Sequence, residues 1–253
     1  MGAVSARRAR ATAVLLRWPA LSLAAALLML LQLLPASAPL FHALFPANPH
    51  PVYSRASFFE LAWAHCWLVG LSSFVAACVG IGTAIFVTRD SGRDFLGMAN
   101  SLAAIGQTFP PVAVLALSVP LLGYGAAPTL VALVLYAILP ILENTITGLQ
   151  AVPAAARDAA TGMGFPPWRM LTQIELPLAW PFIVTGLRTS VVINIGTATV
   201  GASIGALSLG SPIIEGLAAA NTAYVIQGAS VVALLAILVD QIFGSLARSA
   251  ESS

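Results

Sequence analysis

DAATGMGFPPWRMLTQIELPLAWP, residues 158–181, is a run of Gly, Pro and scattered charge set between two long hydrophobic stretches. Just upstream stands Pro153, followed by Ala154, Ala155, Ala156, Arg157, Asp158, Ala159 and Ala160, with Gly162 and Gly164 closing the segment. Pro at a first helical position, good helix formers inside and Gly at the far end spell a short helix. A second is expected to begin at Pro166-Pro167-Trp168 and to run through Met170, Leu171, Ile174 and Leu176 to Pro177. The pair makes a helical hairpin with a Gly elbow. Connections in compact bundles usually take a few residues, and longer ones tend to carry function. Met163, Phe165, Trp168 and Met170 gather at this elbow. An oily knob on a water-facing loop marks the groove of a partner.

The rest of the chain defines what the hairpin is attached to. Apolar residues make up 59% of the 253 and charged residues only 8%, against about 45–50% and about 25% in soluble domains. Such a chain is expected to be an all-α polytopic membrane protein. All eleven basic residues are Arg, with no Lys. A Walker A loop, a kinase fold and a Schiff-base enzyme each need a Lys. ATP chemistry of the usual designs is therefore excluded, and no nucleic-acid partner is expected.

Six segments are apolar over the ~20 residues a membrane helix needs: 14–34, 61–87, 98–120, 127–148, 181–206 and 222–246. Arg7, Arg8, Arg10, Arg17, Arg89, Arg93, Arg157, Arg169, Arg188 and Arg248 then fall on one side, with Arg188 just inside the fifth span and only Arg55 opposite. The positive-inside rule makes that side, both termini and the hairpin cytoplasmic. Arg7 to Arg10, an apolar run and Ala36-Ser37-Ala38 also imitate a signal peptide, but the apolar stretch is long for one and an uncleaved helix is expected. The chain divides into an arm, first span and external segment (1–56), a transmembrane domain (57–248) containing the loop 149–180, and a tail (249–253).

Within the external segment, Pro35, Pro39, Pro46, Pro49 and Pro51 predict irregular or interfacial structure, and Ser57-Phe58-Phe59-Glu60 predicts a capping box at the next helix start. Cys66 and Cys78 are separated by roughly 18 Å along one helix, too far to bridge, and read as small packing residues. His42, His50 and His65 fit no ligand spacing, so they read as surface or interface groups and no metal site is expected. Tyr53, Trp63 and Trp67 read as interfacial anchors. Glu143 and Asp240 lie toward cytoplasmic ends and Glu215 in an outer loop. That leaves no midplane carboxylate, which counts against a proton-coupled carrier.

The hairpin resembles the cytoplasmic loop of binding-protein-dependent ABC importer permeases, whose pattern is Glu-Ala-Ala, three residues, Gly, nine residues, Ile-x-Leu-Pro. Here stand Asp158-Ala159-Ala160, then Gly164, then Ile174-Glu175-Leu176-Pro177. Only Asp158 departs, keeping the carboxylate but shortening it. The runs beginning Gly106-Gln-Thr-Phe-Pro-Pro, Arg188-Thr-Ser-Val-Val-Ile-Asn and Asn221-Thr-Ala-Tyr-Val-Ile-Gln further resemble the glycine betaine, choline and carnitine permeases of bacterial osmoprotectant uptake. The resemblance extends from about residue 57 to the end of the sixth span.

It implies a type I importer core of five helices plus an N-terminal helix, in a bacterial inner membrane. The loop would dock into a separate ATP-binding subunit, so ATP is bound by that partner and this chain carries no cofactor. A second permease, the same chain or a paralogue, would complete the path. A periplasmic or lipid-anchored binding protein would deliver the solute and hold its aromatic cage.

Two places are candidates for the translocation path. On the fifth span Ser190, Asn194, Thr197, Gly201 and Gly205 fall within a sector of roughly 80°. They form either a path lining or a tight helix seam. On the third, Thr108-Phe109-Pro110-Pro111 must bend the helix, beside a gate or as a plain kink.

The alternatives are a permease of another import branch, such as one for amino acids, and an ion-coupled secondary transporter. The repeated halves and intramembrane ionisable group of the latter are not seen. An intramembrane enzyme would want His-Glu-x-x-His or converging acids, and the spans offer neither.

Overall fold

The computed structural model describes residues 19–251, with backbone alone at 248–251. The Arg residues up to Arg17, the start of the first span and the side chain of Arg248 lie outside the described part. The elements are α1 (Pro19–Ala36), α2 (Ala38–Leu44), α3 (Phe58–Val87), α4 (Leu96–Thr108), α5 (Pro111–Leu122), α6 (Ala126–Gln150), α7 (Ala154–Gly162), α8 (Pro167–Met170), α9 (Leu176–Thr197), α10 (Ser211–Ala218) and α11 (Thr222–Glu251). No strand occurs among the described residues.

Five helices are long and apolar enough to cross a bilayer: α1, α3, α6, the continuous stretch Pro167–Thr197 and α11. A sixth crossing exists only as a broken pair. The expected third span, 98–120, is split into α4 and α5, bent by 92°. Phe109 and Pro110 are both extended (ψ 131° and 139°). A residue before proline is pushed out of the helical region, and Pro111 then restarts the chain as a first helical residue. The predicted bend is thus a full break.

The second hairpin helix also differs from expectation. It does not stop at Pro177 but runs into the fifth span through a π turn at Leu171–Glu175. Proline inside an α-helix lacks the N–H and clashes with the carbonyl four residues back. The wider turn in front of Pro177 relieves that conflict, as single π turns do inside helices. At its far end the span gives way at Thr197 to a 3-10 turn over Val200–Ile204.

Helix α6 is the hub, packed against α3, α4, α5 and α9, with α9 in turn against α11. The α6–α9 seam closes on a glycine from each helix. A Cβ on Gly186 would stand 2.8 Å from the Pro140 carbonyl oxygen, and one on Gly148 2.7 Å from Phe182 Cβ. Small residues at such crossings let backbones approach where lipid supplies no hydrophobic drive. Leu31 and Leu34 of α1 join the main core with Phe41, Tyr53, Phe58 and Leu61.

The outer faces are apolar, with Phe59, Trp63, Trp67 and Phe74 of α3 all exposed. Hydrocarbon accepts them, and it accepts Cys66 and Cys78 too, which are exposed rather than packed inside. His65 is instead fully buried, with Nε2 3.1 Å from the Ile195 carbonyl oxygen. Tyr53 is no anchor either. It is buried, edge-on to Phe58 and Tyr224, and donates to Glu215 at 3.0 Å.

The segment around Tyr53 is strapped across the end of the bundle opposite the hairpin. Asn221 accepts from Asn48 (2.6 Å) and donates to the His50 carbonyl (3.0 Å). Gln227 accepts from the Tyr53 amide (3.1 Å) and donates to the Pro51 carbonyl (2.6 Å). Arg55 pairs with Glu215 at 3.0 Å. Ser57 caps α3 by accepting from the Glu60 amide at 3.1 Å, as its spacing predicts.

Candidate functional site

The arginine-rich end of the bundle carries the hairpin. Helix α7 ends in a Schellman arrangement: the Phe165 amide reaches the Ala160 carbonyl (3.0 Å) and the Gly164 amide that of Thr161 (2.9 Å). This requires a left-handed residue, and Gly164 has φ 75°. The spacing Ala160-x3-Gly164 is therefore a helix stop written in sequence. Ala160 is fully buried at the joint, while Asp158, Ala159 and Gly164 are exposed.

Beyond the stop the chain turns at Pro166-Pro167. Met163 is 66% and Trp168 64% exposed, and the Arg169 guanidinium lies 4.5 Å over the Phe165 ring. The oily knob read from sequence is present, held out by α7 and α8. Ile174 and Leu176 are half-buried beneath it, and Pro177 is exposed.

Between them, Glu175 turns inward, its side chain 5% exposed. It accepts from Arg157 Nε at 3.0 Å and pairs with Arg89 just past α3. Arg157 also donates to the Leu149 carbonyl in the last turn of α6, at 2.6 Å. Sequence reading passed over Glu175 as the unspecified residue between Ile174 and Leu176. It stands four and eight residues before the buried Ala179 and Ile183, and that spacing is the signal by which it could have been found.

The fifth-span stripe divides. Ser190 is buried and donates to the Ala137 carbonyl of α6 at 2.7 Å. Asn194, also buried, donates toward Ser72 (3.1 Å) and Ser73 (3.3 Å) of α3. A Cβ on Gly201 would meet Thr129 of α6 at 2.5 Å. These three close helix seams within the protomer. Thr197 is half-buried with its hydroxyl on the Ile193 carbonyl (2.9 Å), and Gly205, exposed at φ 84°, ends the 3-10 turn. Thr108, Phe109 and Pro110 are exposed at the α4–α5 break.

Beside the stripe lies an ion pair that the sequence reading did not anticipate. Arg188 of α9 grips Asp240 of α11 through two bonds, Nε to Oδ1 (2.6 Å) and Nη2 to Oδ2 (2.7 Å). Both belong to expected spans, but nothing in their spacing announced that they meet. Among the described residues no cluster of three or more His, Cys, Asp or Glu suits a metal ion.

The family described as binding-protein-dependent transport system inner membrane component matches residues 76–252. The chain belongs to this family.

As an inner-membrane permease, it is 39% identical to the osmoprotectant import permease protein OsmY of Salmonella typhimurium over 188 residues, 74% of this chain and 80% of the relative. It is 36% identical to the carnitine transport permease protein OpuCD of Listeria monocytogenes, covering 75% and 85% of the two chains. The glycine betaine/carnitine/choline transport system permease protein OpuCB of Bacillus subtilis is likewise 36% identical, with 72% and 82% covered. A structure of the MetNI methionine ABC transporter in an inward-facing conformation superposes with a TM-score of 0.67 at 19% identity, over 78% of this chain and 99% of that one. The type I importer fold read from the hairpin and the spans is thereby borne out, and so is the resemblance to osmoprotectant permeases.

Proposed function

We propose that the permease moves a quaternary-ammonium osmoprotectant such as glycine betaine into the cell, as one half of a path completed by a second permease. The hairpin 149–180 faces the cytoplasm with both termini, and docks into a separate ATP-binding subunit. An external binding protein delivers the solute.

The observation that carries this reading is the exposed Met163–Trp168 knob on a rigid helix stop. An apolar projection on the arginine-rich, cytoplasmic side serves a partner's groove rather than lipid. ATP closure must supply about 5.5 kcal/mol to drive the facing equilibrium from 1:99 to 99:1. A helix ended by two hydrogen bonds transmits such work; a loose loop does not. Asp158, Ala159, Ala160, Gly164, Ile174, Leu176 and Pro177 are the residues assigned to this joint.

For the path we infer the face of α9 bearing Thr185, Thr189 and Gly196, all exposed in the protomer and within roughly 40° of one another at 100° per residue. Ser190, Asn194 and Gly201 hold that face from behind, Thr197 borders it, and Thr108-Phe109-Pro110 flank the path at the break. The Thr185 hydroxyl is turned onto the Pro181 carbonyl (2.9 Å), so this face is small, and small faces let a second helix approach closely in a membrane.

The test is uptake of labelled glycine betaine, choline and an unrelated amino acid by vesicles with and without the chain. Uptake of a quaternary ammonium is expected. Amino-acid uptake alone would move the permease to another import branch.

A further inference from the structure

We propose that Glu175 is the positioning residue of the coupling joint. It clamps α7 to the ends of α3 and α6 and to the base of α9, so that a displacement of the hairpin reaches the spans undiminished. The inference rests on the coupling role of the hairpin and adds the part that transmits its motion.

Three observations carry it. First, Glu175 is the carboxylate at this end that is withdrawn from water: Asp90, Asp94, Glu143 and Asp158 are all exposed. A buried carboxylate persists only when paired and hydrogen-bonded. Its two partners come from different elements, Arg89 from beyond α3 and Arg157 from within α7. Arg157 in turn bonds the Leu149 carbonyl, at the negative end of the α6 dipole. Glu175 therefore ties α7 to the base of α9 and to the chain just past α3, while Arg157 carries the tie on to α6.

Second, Glu175 heads a buried stripe. Glu175, Ala179, Ile183, Gly186, Ser190 and Asn194 follow one another at steps of three or four and are all buried. That stripe is the seam of α9 with α3 and α6. A push received at Glu175 thus enters the rigid line of contact, not the lipid-facing side.

Third, the site is electrostatically poised. A cavity of about 200 Å³ is lined by Arg89, Arg93, Arg157, Asp90 and Glu175 together with Thr88 and Leu149. Without the Glu175 charge, the three arginines of this lining keep only the exposed Asp90 as a counter-charge. Like charges at short range repel, so the loss frees α7 from the α3 end and leaves Arg157 with the Leu149 carbonyl alone.

The test uses the permease purified with its ATP-binding subunit and reconstituted in vesicles with the binding protein. Glu175→Gln keeps the shape and removes the charge. The ATP-binding subunit is expected to copurify still, because the knob at Met163 and Trp168 is untouched, and ATP hydrolysis to continue. Labelled glycine betaine taken up per ATP hydrolysed is expected to fall at least about tenfold, equivalent to ~1.4 kcal/mol of lost coupling.

Arg157→Gln, which leaves the Arg89–Glu175 pair, is expected to fall less. Combining it with Glu175→Gln is expected to give less than the sum of the two losses, since both report one network. A docked Glu175→Gln complex with an unchanged uptake per ATP overturns the clamp. Should Glu175→Gln fail to insert, an unchanged ratio in Arg157→Gln overturns it equally. A wild-type chain that copurifies no ATP-binding subunit removes the coupling role and the clamp with it, a result distinct from failure of the clamp alone.

Discussion

Gly164 offers a direct measure of how much the elbow matters. Its φ of 75° lies in the left-handed region, and a Cβ built there meets nothing within 4 Å. Substitution therefore costs backbone energy and no steric clash. For an ordinary L-residue that cost is about 1–2 kcal/mol. To escape it the residue must leave the left-handed region, breaking the bonds from Phe165 to Ala160 and from Gly164 to Thr161. Those bonds contribute about 1 kcal/mol each, so neither route is free. A penalty of 1–2 kcal/mol lowers the docking-competent elbow by about 5–30-fold.

Gly164→Val, β-branched and least tolerant of positive φ, is expected at the upper end of that range. Gly164→Asn is expected to lose less than about threefold, because Asn enters this region most readily of the non-glycine residues. Gly162→Ala is the control, since Gly162 is ordinary helix with open space around it and alanine there favours the helix. The assay is the initial rate of labelled glycine betaine uptake per inserted chain, alongside copurification of the ATP-binding subunit. Equal uptake by the Val and Asn variants would refute the argument, because it would mean that the left-handed turn is not what sets the joint.

Gly186→Val should force the α6–α9 seam apart, since its Cβ would stand 2.8 Å from the Pro140 carbonyl oxygen and 2.9 Å from Asn144 Cβ. Overpacking of this kind costs about 1–3 kcal/mol, read as a lower melting temperature in detergent, with Gly82→Val, which meets nothing within 4 Å, as the unaffected control. Asn194→Leu removes the bonds to Ser72 and Ser73 but also a buried, unpartnered Oδ1. The net destabilisation should stay near 1 kcal/mol or below, with uptake per inserted chain largely kept; a large loss of uptake at normal stability would put Asn194 on the path. Tyr53 is pushed from 10.0 up to about 12 by burial first and by its bond to Glu215 second. Because the folded state favours the neutral phenol, this stabilisation is complete below pH 10 and is lost as pH rises through 12. Ultraviolet titration should show the highest phenol transition disappearing in Tyr53→Phe; its survival would place that transition elsewhere.

The sequence was most informative where a local rule decides geometry. Gly164, Ser57 and Pro153 carry their meaning in their own backbone preferences, so the helix stop, the α3 cap and the start of α7 were readable before any contact was known. It was least informative where two readings obey the same rule. A polar stripe on α9 satisfies both a path and a seam, and its spacing could not name the α3 and α6 partners that Asn194 and Ser190 take up. The break at Pro110 was foreseeable as a bend but not as a right angle, because its size depends on what α5 packs against. Tyr53 was misplaced because an amphipathic side chain near a membrane boundary looks like an anchor until its partners Glu215, Phe58 and Tyr224 are known. His65 was misplaced because its partner, the Ile195 carbonyl of α9, is remote in sequence.

The absence of Lys also acquires a physical sense once the partners are visible. Arg188 holds both oxygens of Asp240 at once, and Arg157 spans Glu175 and the Leu149 carbonyl with two different nitrogens. A lysine ammonium is a single, strongly hydrated point and cannot present a planar fork to two acceptors. Taking such a group out of water to join helices costs more for Lys and returns less directional bonding. At each of these sites the partly exposed cation works as a bracket between elements. The same arginines that leave the chain without an ATP-handling lysine thus join α7 to α6 and α9 to α11.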